Sequence, residues 1–282
     1  MTFRTVRIVA ALTLREAARR CVLRAIIVMT VALLALSAWG FSRLAAELGT
    51  LTSGEARLAS SQVLNLVMFG LSLIAALGTA FLAGPTLAGE MESGTALAVL
   101  ARPVRRSAVL LGKWLGLAVF GSCFVVVAGL AEFVIVQVTM DYWPPQPVAG
   151  LALLAAQTTV LLTLGLLLST VISPMASGIV AVGLFGATWI AGVIGGVGKA
   201  LGNEGVARVA TVARILLPTD GLWQGTMHAI QDPAVLTLFG GAAGGSPFVS
   251  EAPLAATYLV WTALWVSLAL GLAALSFQRR DL

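Results

Sequence analysis

The chain has 282 residues, of which 59% are hydrophobic and 10% charged, with a formal net charge of +5 and a pI near 10.0. Soluble globular chains run at about 45–50% apolar and 25% charged, so this composition excludes an ordinary soluble fold and points to a single membrane domain. The basic residues sit at the ends of apolar runs rather than in one patch, which argues against a nucleic-acid surface, and two cysteines, Cys21 and Cys123, give no disulfide framework.

In chain order, an Arg-rich N-terminal stretch comes first, with Phe3, Val6, Ala10 and Ala17 on one helical face; it predicts a helix lying along the inner membrane interface, although Ile8 and Leu12 spoil the pattern. The apolar run that follows is long for a cleaved signal segment and reads as a retained anchor. A helix needs about 20 apolar residues to cross a hydrocarbon core of roughly 30 Å. Six regions qualify, near residues 22–41, 63–84, 114–140, 148–172, 178–197 and 254–277. The fourth and fifth are separated only by Ser173, Pro174 and Met175, which predict a tight turn because the residue before proline is pushed out of the helical region. Before the last span, residues 198–253 mix short apolar pieces with turn signals at Pro218 and Asp232-Pro233, as expected of short helices on or dipping into the outer surface. Ser250, Glu251 and Pro253 read as the start of the last helix. The fold expected is therefore all-α and polytopic.

Six spans put both termini on one side, and 12 of the 17 basic residues fall on that side. The positive-inside rule makes it cytoplasmic and makes residues 198–253 external, in a cell's inner membrane.

Gly195-Gly196-Val197-Gly198-Lys199 superficially resembles a nucleotide-binding loop, but the Walker pattern needs glycine where Val193 stands and Ser or Thr where Ala200 stands. One histidine, His228, and singly scattered acidic residues offer no metal cluster and no acid–base pair, so no catalytic centre and no cofactor are expected in this chain. Gly112 and Gly116, and again Gly192 and Gly196, have the GxxxG spacing that permits close helix approach. Glu132 is the ionisable residue deepest within a span, about 28 Å along the helix from Lys113. Two readings stay open for it: a place in a pathway or between helices, or snorkelling to the outer interface.

The most informative stretch runs from Gly89 to Ser107 and closes with Leu111-Gly112-Lys113. It reads as an acidic turn at Glu90 and Glu92, an N-cap at Ser93 or Thr95 after Gly94, a short helix, and a stop at Arg102-Pro103 followed by Arg105 and Arg106. Alternating charge and helix caps point to an ordered protein-docking surface rather than a plain loop. This stretch resembles the cytoplasmic segment of ABC-2 type permeases, whose usual form is Glu, then Glu-x-Gly-Thr, a Leu-rich helix, Arg-Pro-Val and Leu-Gly-Lys. Leu217-Pro218-Thr219-Asp220 and the ending Phe277-Gln278-Arg279-Arg280-Asp281-Leu282 are further matches, so the resemblance covers essentially the whole chain as one transmembrane domain. Ala96 and Ala98 depart from it, since family members often carry an acidic residue there.

The resemblance implies a permease subunit of an ATP-driven exporter, paired with a second permease subunit, identical or a paralogue, and with two copies of a separate ABC ATPase that holds ATP and Mg. Glu90, Glu92, Ser93, Gly94, Thr95, Arg102, Pro103, Arg105 and Arg106 would then couple to the ATPase, with membrane lipid as the remaining partner. A secondary transporter or a non-catalytic membrane module is the alternative; the first normally needs midplane carboxylates or repeated broken helices, and neither is evident in the sequence.

Overall fold

The computed structural model describes residues 2–17, 21–48, 53–92, 106–235, 248–250 and 252–279. Its helices are α1 (Thr2–Ala17), α2 (Cys21–Leu48), α3 (Ser53–Glu92), α4 (Arg106–Met140), α5 (Pro147–Ser169), α6 (Pro174–Ala200), α7 (Glu204–Leu216), α8 (Thr219–Ile230) and α9 (Ala256–Arg279). No strand occurs among the described residues. Helices α2 to α6 and α9 each contain a run long and apolar enough to cross a membrane. The protein is thus an all-helical, multi-pass membrane protein of six spans. Six spans return the chain to the side it started from, called here the terminal side; the opposite side is the far side.

The central helices are α3, which packs against α2, α4, α5, α6 and α8, and α5, which packs against α3, α4, α6, α8 and α9. Leu64, Met68 and Leu71 of α3 meet Val125 and Phe133 of α4, Leu154 of α5 and Trp223 of α8 in one buried cluster. Around this centre α2 and α9 face outward, with Leu264, Leu268 and Leu272 exposed at i, i+4 spacing. In a bilayer such a stripe is solvated by lipid tails as apolar as itself.

Two span boundaries differ from those expected. The second span does not stop at Gly84: α3 continues through Pro85 to Glu92. Proline removes a backbone donor, and a buried lysine on another helix helps satisfy the backbone beyond it: the Lys113 ammonium, only 4% exposed, donates to the Thr86 carbonyl. The last span begins at Ala256 rather than at the Ser250 signal, because Ser250 is held elsewhere: its amide donates to Gln231 Oε1 at 3.1 Å and its carbonyl accepts from Gln231 Nε2. The turn between the fourth and fifth spans falls where expected, with Ser173 extended at the N-cap and Pro174 as the first residue of α6.

Helix α1 packs against α4. A Cβ placed on Gly116 would lie 2.6 Å from the Ala10 carbonyl, and one on Gly112 would lie 2.7 Å from Val9, so glycine at these positions lets the two helices touch. Val9, Ala10 and Thr13 therefore face α4, while Ile8 and Leu12 form a second, exposed apolar stripe. The residues that spoiled a single amphipathic face are the ones left for lipid. Gly116→Leu, which cannot be accommodated against backbone, is expected to detach α1; tryptic cleavage after Arg7 and Arg15 in proteoliposomes should quicken at least severalfold, and an unchanged rate would show that the glycine contact does not hold α1.

Candidate functional site

Of the residues assigned to docking, Ser93, Gly94, Thr95, Arg102, Pro103 and Arg105 lie outside the described residues. Their flanks are described. Glu90 and Glu92 belong to the last turn of α3 rather than to a separate acidic turn, and Arg106 opens α4. Both flanking helices reach the terminal side, so the segment between them is bracketed by the ends of two of the longest helices in the protein, 40 and 35 residues. Carboxylates at a helix C-terminus oppose the macrodipole by about 0.3–1 kcal/mol each.

Glu132 is fully buried on α4. The Ser37 hydroxyl of α2 donates to Glu132 Oε2 at 2.6 Å, across 95 positions of sequence, while Oε1 has no hydrogen-bond partner among the described residues. Isolated in hydrocarbon, a carboxyl group would cost several kcal/mol, so this contact between α2 and α4 is one that packing must hold in place. Nearby helices carry further buried polar groups: Gln157 Nε2 donates to the Ser72 hydroxyl at 2.9 Å, joining α5 to α3. The Trp114 indole donates to the Thr163 hydroxyl at 2.9 Å, joining α4 to α5.

The far side is dominated by a helical hairpin. Gly202, at φ +66°, reverses the chain after α6, and the Asn203 side chain accepts from the Val206 amide to cap α7. Helix α7 then runs back along α6, where Gly195 and Gly198 leave room for Ala210 and Val206. Its tip reaches the Thr188 hydroxyl, which lies 3.0 Å from that of Thr219. Thr188 is twelve residues before the end of α6, so the tip sits about 18 Å below that end. This is a re-entrant hairpin, with Leu217-Pro218-Thr219-Asp220 at its lowest point.

A helix ending at that depth leaves its last carbonyls without water. The Arg214 carbonyl would ordinarily accept from residue 218, but that residue is proline. The Thr219 amide, the ordinary donor to Ile215, instead bonds the Leu217 carbonyl at 2.9 Å. Helix α9 supplies what is missing. Tyr258, Trp261 and Trp265, at i, i+3 and i+7 on one face, donate to the carbonyls of Arg214, Ile215 and Leu216 at 3.0, 3.2 and 2.8 Å. At the same tip the Arg214 guanidinium donates to Asp220 Oδ2 at 2.6 Å, and the Asp220 side chain is 1% exposed. Gly192, the first glycine of the second GxxxG, gives Asp220 its space, since a Cβ there would meet the carboxylate.

Helix α8 carries the chain back to the far surface through an aromatic cluster. Phe69 of α3 stacks on Trp189 of α6 at 4.8 Å and lies 5.4 Å from Trp223 of α8 and 5.7 Å from Phe248. Above it a polar knot closes the surface. The Asp232 amide donates to the Ser61 hydroxyl at 2.8 Å, and its carboxylate lies 3.4 Å from Arg57. The Tyr142 hydroxyl donates to the Ile230 carbonyl at 2.8 Å. Burial pushes its pKa up to about 12, so it stays a donor across the whole physiological range.

Sequence reading singled out the Leu-Pro-Thr-Asp run and Glu132 but not Arg214 or the three aromatic donors of α9. Their i, i+3, i+7 spacing was the available signal. No group of three or more His, Cys, Asp or Glu residues close enough to hold a metal occurs among the described residues.

Removing Arg214 alone strands a buried carboxylate, at a cost of about 3–5 kcal/mol, whereas Arg214→Ala with Asp220→Ala removes both charges. Thermal unfolding in detergent should therefore give a smaller loss for the double variant than for Arg214→Ala. A double variant as destabilised as the sum of the singles would deny the pair its role.

The sequence profile described as ABC-2 family transporter protein matches residues 11–282. No curated protein matches the chain. With six apolar helices, no separate soluble domain among the described residues and a profile match over nearly its full length, the chain belongs to the ABC-2 transporter family and is a membrane permease component of an ABC transporter.

Proposed function

We propose that this permease works as an exporter, with a second permease subunit, identical or paralogous, and two copies of an ABC ATPase that binds ATP and Mg. The termini and the segment from Glu90 to Arg106 then face the cytoplasm, and the α7–α8 hairpin faces outward. This orientation rests on the distribution of Lys and Arg. The observation that carries the reading is α3 itself. It is one uninterrupted helix of 40 residues, about 60 Å long, with Glu90 and Glu92 at one end and Ser61 and Phe69, which touch the far-side knot and Trp223, toward the other. A movement imposed at the segment after Glu92 would be carried along α3 to the hairpin, past Pro85, beside which Lys113 of α4 is bonded to the Thr86 carbonyl.

The two carboxylates support the docking role. They stand at the helix end that disfavours them, and basic residues on an ATPase would offset that cost. Arg102, Arg105 and Arg106 would hold the other end of the segment, to acidic ATPase residues or to anionic headgroups. Ser93 or Thr95 would cap the short helix that ends at Pro103. Within the membrane, the Ser37–Glu132 hydrogen bond supports an inter-helix role for Glu132, between α2 and α4.

Reversing Glu90 and Glu92 together to lysine, or replacing Gly94 with tryptophan, is expected to weaken association with the ATPase at least tenfold while the permease stays monodisperse in size-exclusion chromatography. Unchanged affinity and unchanged transport would remove the segment from the coupling role.

A further inference from the structure

An apolar groove of about 430 Å³ runs between α2 and α4 and opens to the side. Leu23, Ile27 and Leu34 form one wall and Phe120, Cys123 and Ala131 the other, and no charged residue lines it. The Thr30 hydroxyl within it is committed to the Ile26 carbonyl at 2.8 Å, so the groove offers a ligand no strong polar partner. Leu23 to Leu34 spans eleven residues, about 16 Å of helix, against about 15 Å for one leaflet of a 30 Å hydrocarbon core. The groove begins at the terminal-side end of α2, where Arg24 is exposed. It ends within the membrane, because just beyond Leu34 and Ala131 the Ser37–Glu132 hydrogen bond draws the two helices together.

Lining, length and charge together select the occupant: the walls are apolar, their length matches one leaflet, and an exposed arginine stands beside the terminal-side end of the groove. The cation at its mouth stands at headgroup level, where a basic side chain near the surface contributes about 1 kcal/mol of attraction to anionic lipid. We propose that this groove binds one acyl chain of an anionic phospholipid from the terminal-side leaflet, with the headgroup at Arg24. The site depends on the membrane spans alone and stands or falls apart from the coupling mechanism.

The native Cys123 thiol is exposed and lines the groove, which makes it a reporter. In full-length protein carrying Cys21→Ser, reaction of Cys123 with a membrane-permeant maleimide should slow at least fivefold in phosphatidylcholine vesicles containing phosphatidylglycerol, relative to phosphatidylcholine alone. Arg24→Gln should abolish that difference. Native mass spectrometry of the same protein should find one retained phosphatidylglycerol per chain, lost in Cys123→Trp, which fills the groove. Equal thiol reactivity in both vesicles, or full lipid retention by Cys123→Trp, would overturn the proposal. Efficient Cys123–Cys123 disulfide formation between chains would also overturn it, by showing that a second copy covers the groove.

Discussion

Inside a bilayer no water is present to receive an orphaned backbone carbonyl, and this constraint shapes the part of the protein that departs from simple spanning helices. The α7–α8 hairpin breaks its backbone at Pro218, well below the end of α6, and leaves three consecutive carbonyls without helical donors. The structure tolerates this because Tyr258, Trp261 and Trp265 reach across from α9 with a hydroxyl and two indole N–H groups. Each neutral bond contributes a net of about 0.5–1.5 kcal/mol, but leaving a buried carbonyl unpaired costs about 1–3 kcal/mol, so the aromatic face of α9 is what permits the hairpin to end where it does. Once the tip is fixed there, Asp220 is buried, Arg214 must accompany it, and Gly192 must remain small.

The same rule operates on the terminal side at lower amplitude. Pro85 leaves the Phe81 carbonyl without its helical donor, yet α3 continues to Glu92, and Lys113 of α4 ties this stretch to its neighbour by donating to the Thr86 carbonyl. Continuation of α3 is what gives the protein one helix from Glu92 to the far-side knot. The glycines serve a different need: those of α4 admit α1, and those of α6 admit α7, each by removing a side chain where backbones meet. Since lipid is as apolar as leucine, close packing and internal hydrogen bonds, rather than hydrophobic burial, hold these helices to one another.

The six spans were legible in the sequence because an uncharged run of about 20 apolar residues matches the thickness of a bilayer's hydrocarbon core. Their ends were less legible, since α3 runs on past Gly84-Pro85 to Glu92 despite the proline, and α9 starts beyond Ser250, which Gln231 captures. The carboxylate of Glu132 could be identified as costly from its neighbours in the chain. Its partner Ser37, one of many small polar residues in apolar runs, could not. The Leu-Pro-Thr-Asp run was visible as a turn and as a family match. That it marks the bottom of a hairpin follows only from the three-dimensional meeting of α7 with α6 and α9.

These pieces describe a membrane subunit with two mechanically distinct ends joined by α3: a charged segment between Glu92 and Arg106 on the terminal side and a buried, hydrogen-bonded hairpin tip on the far side. The claim that they communicate is tested most directly on the permease–ATPase complex in proteoliposomes, with Leu217→Cys as the only thiol. Its reactivity toward a small maleimide is measured without nucleotide and with ATP and Mg. The account predicts a severalfold change on adding ATP, as α3 shifts the hairpin tip against α9. Identical reactivity in both conditions, in a complex that hydrolyses ATP and transports, would contradict it.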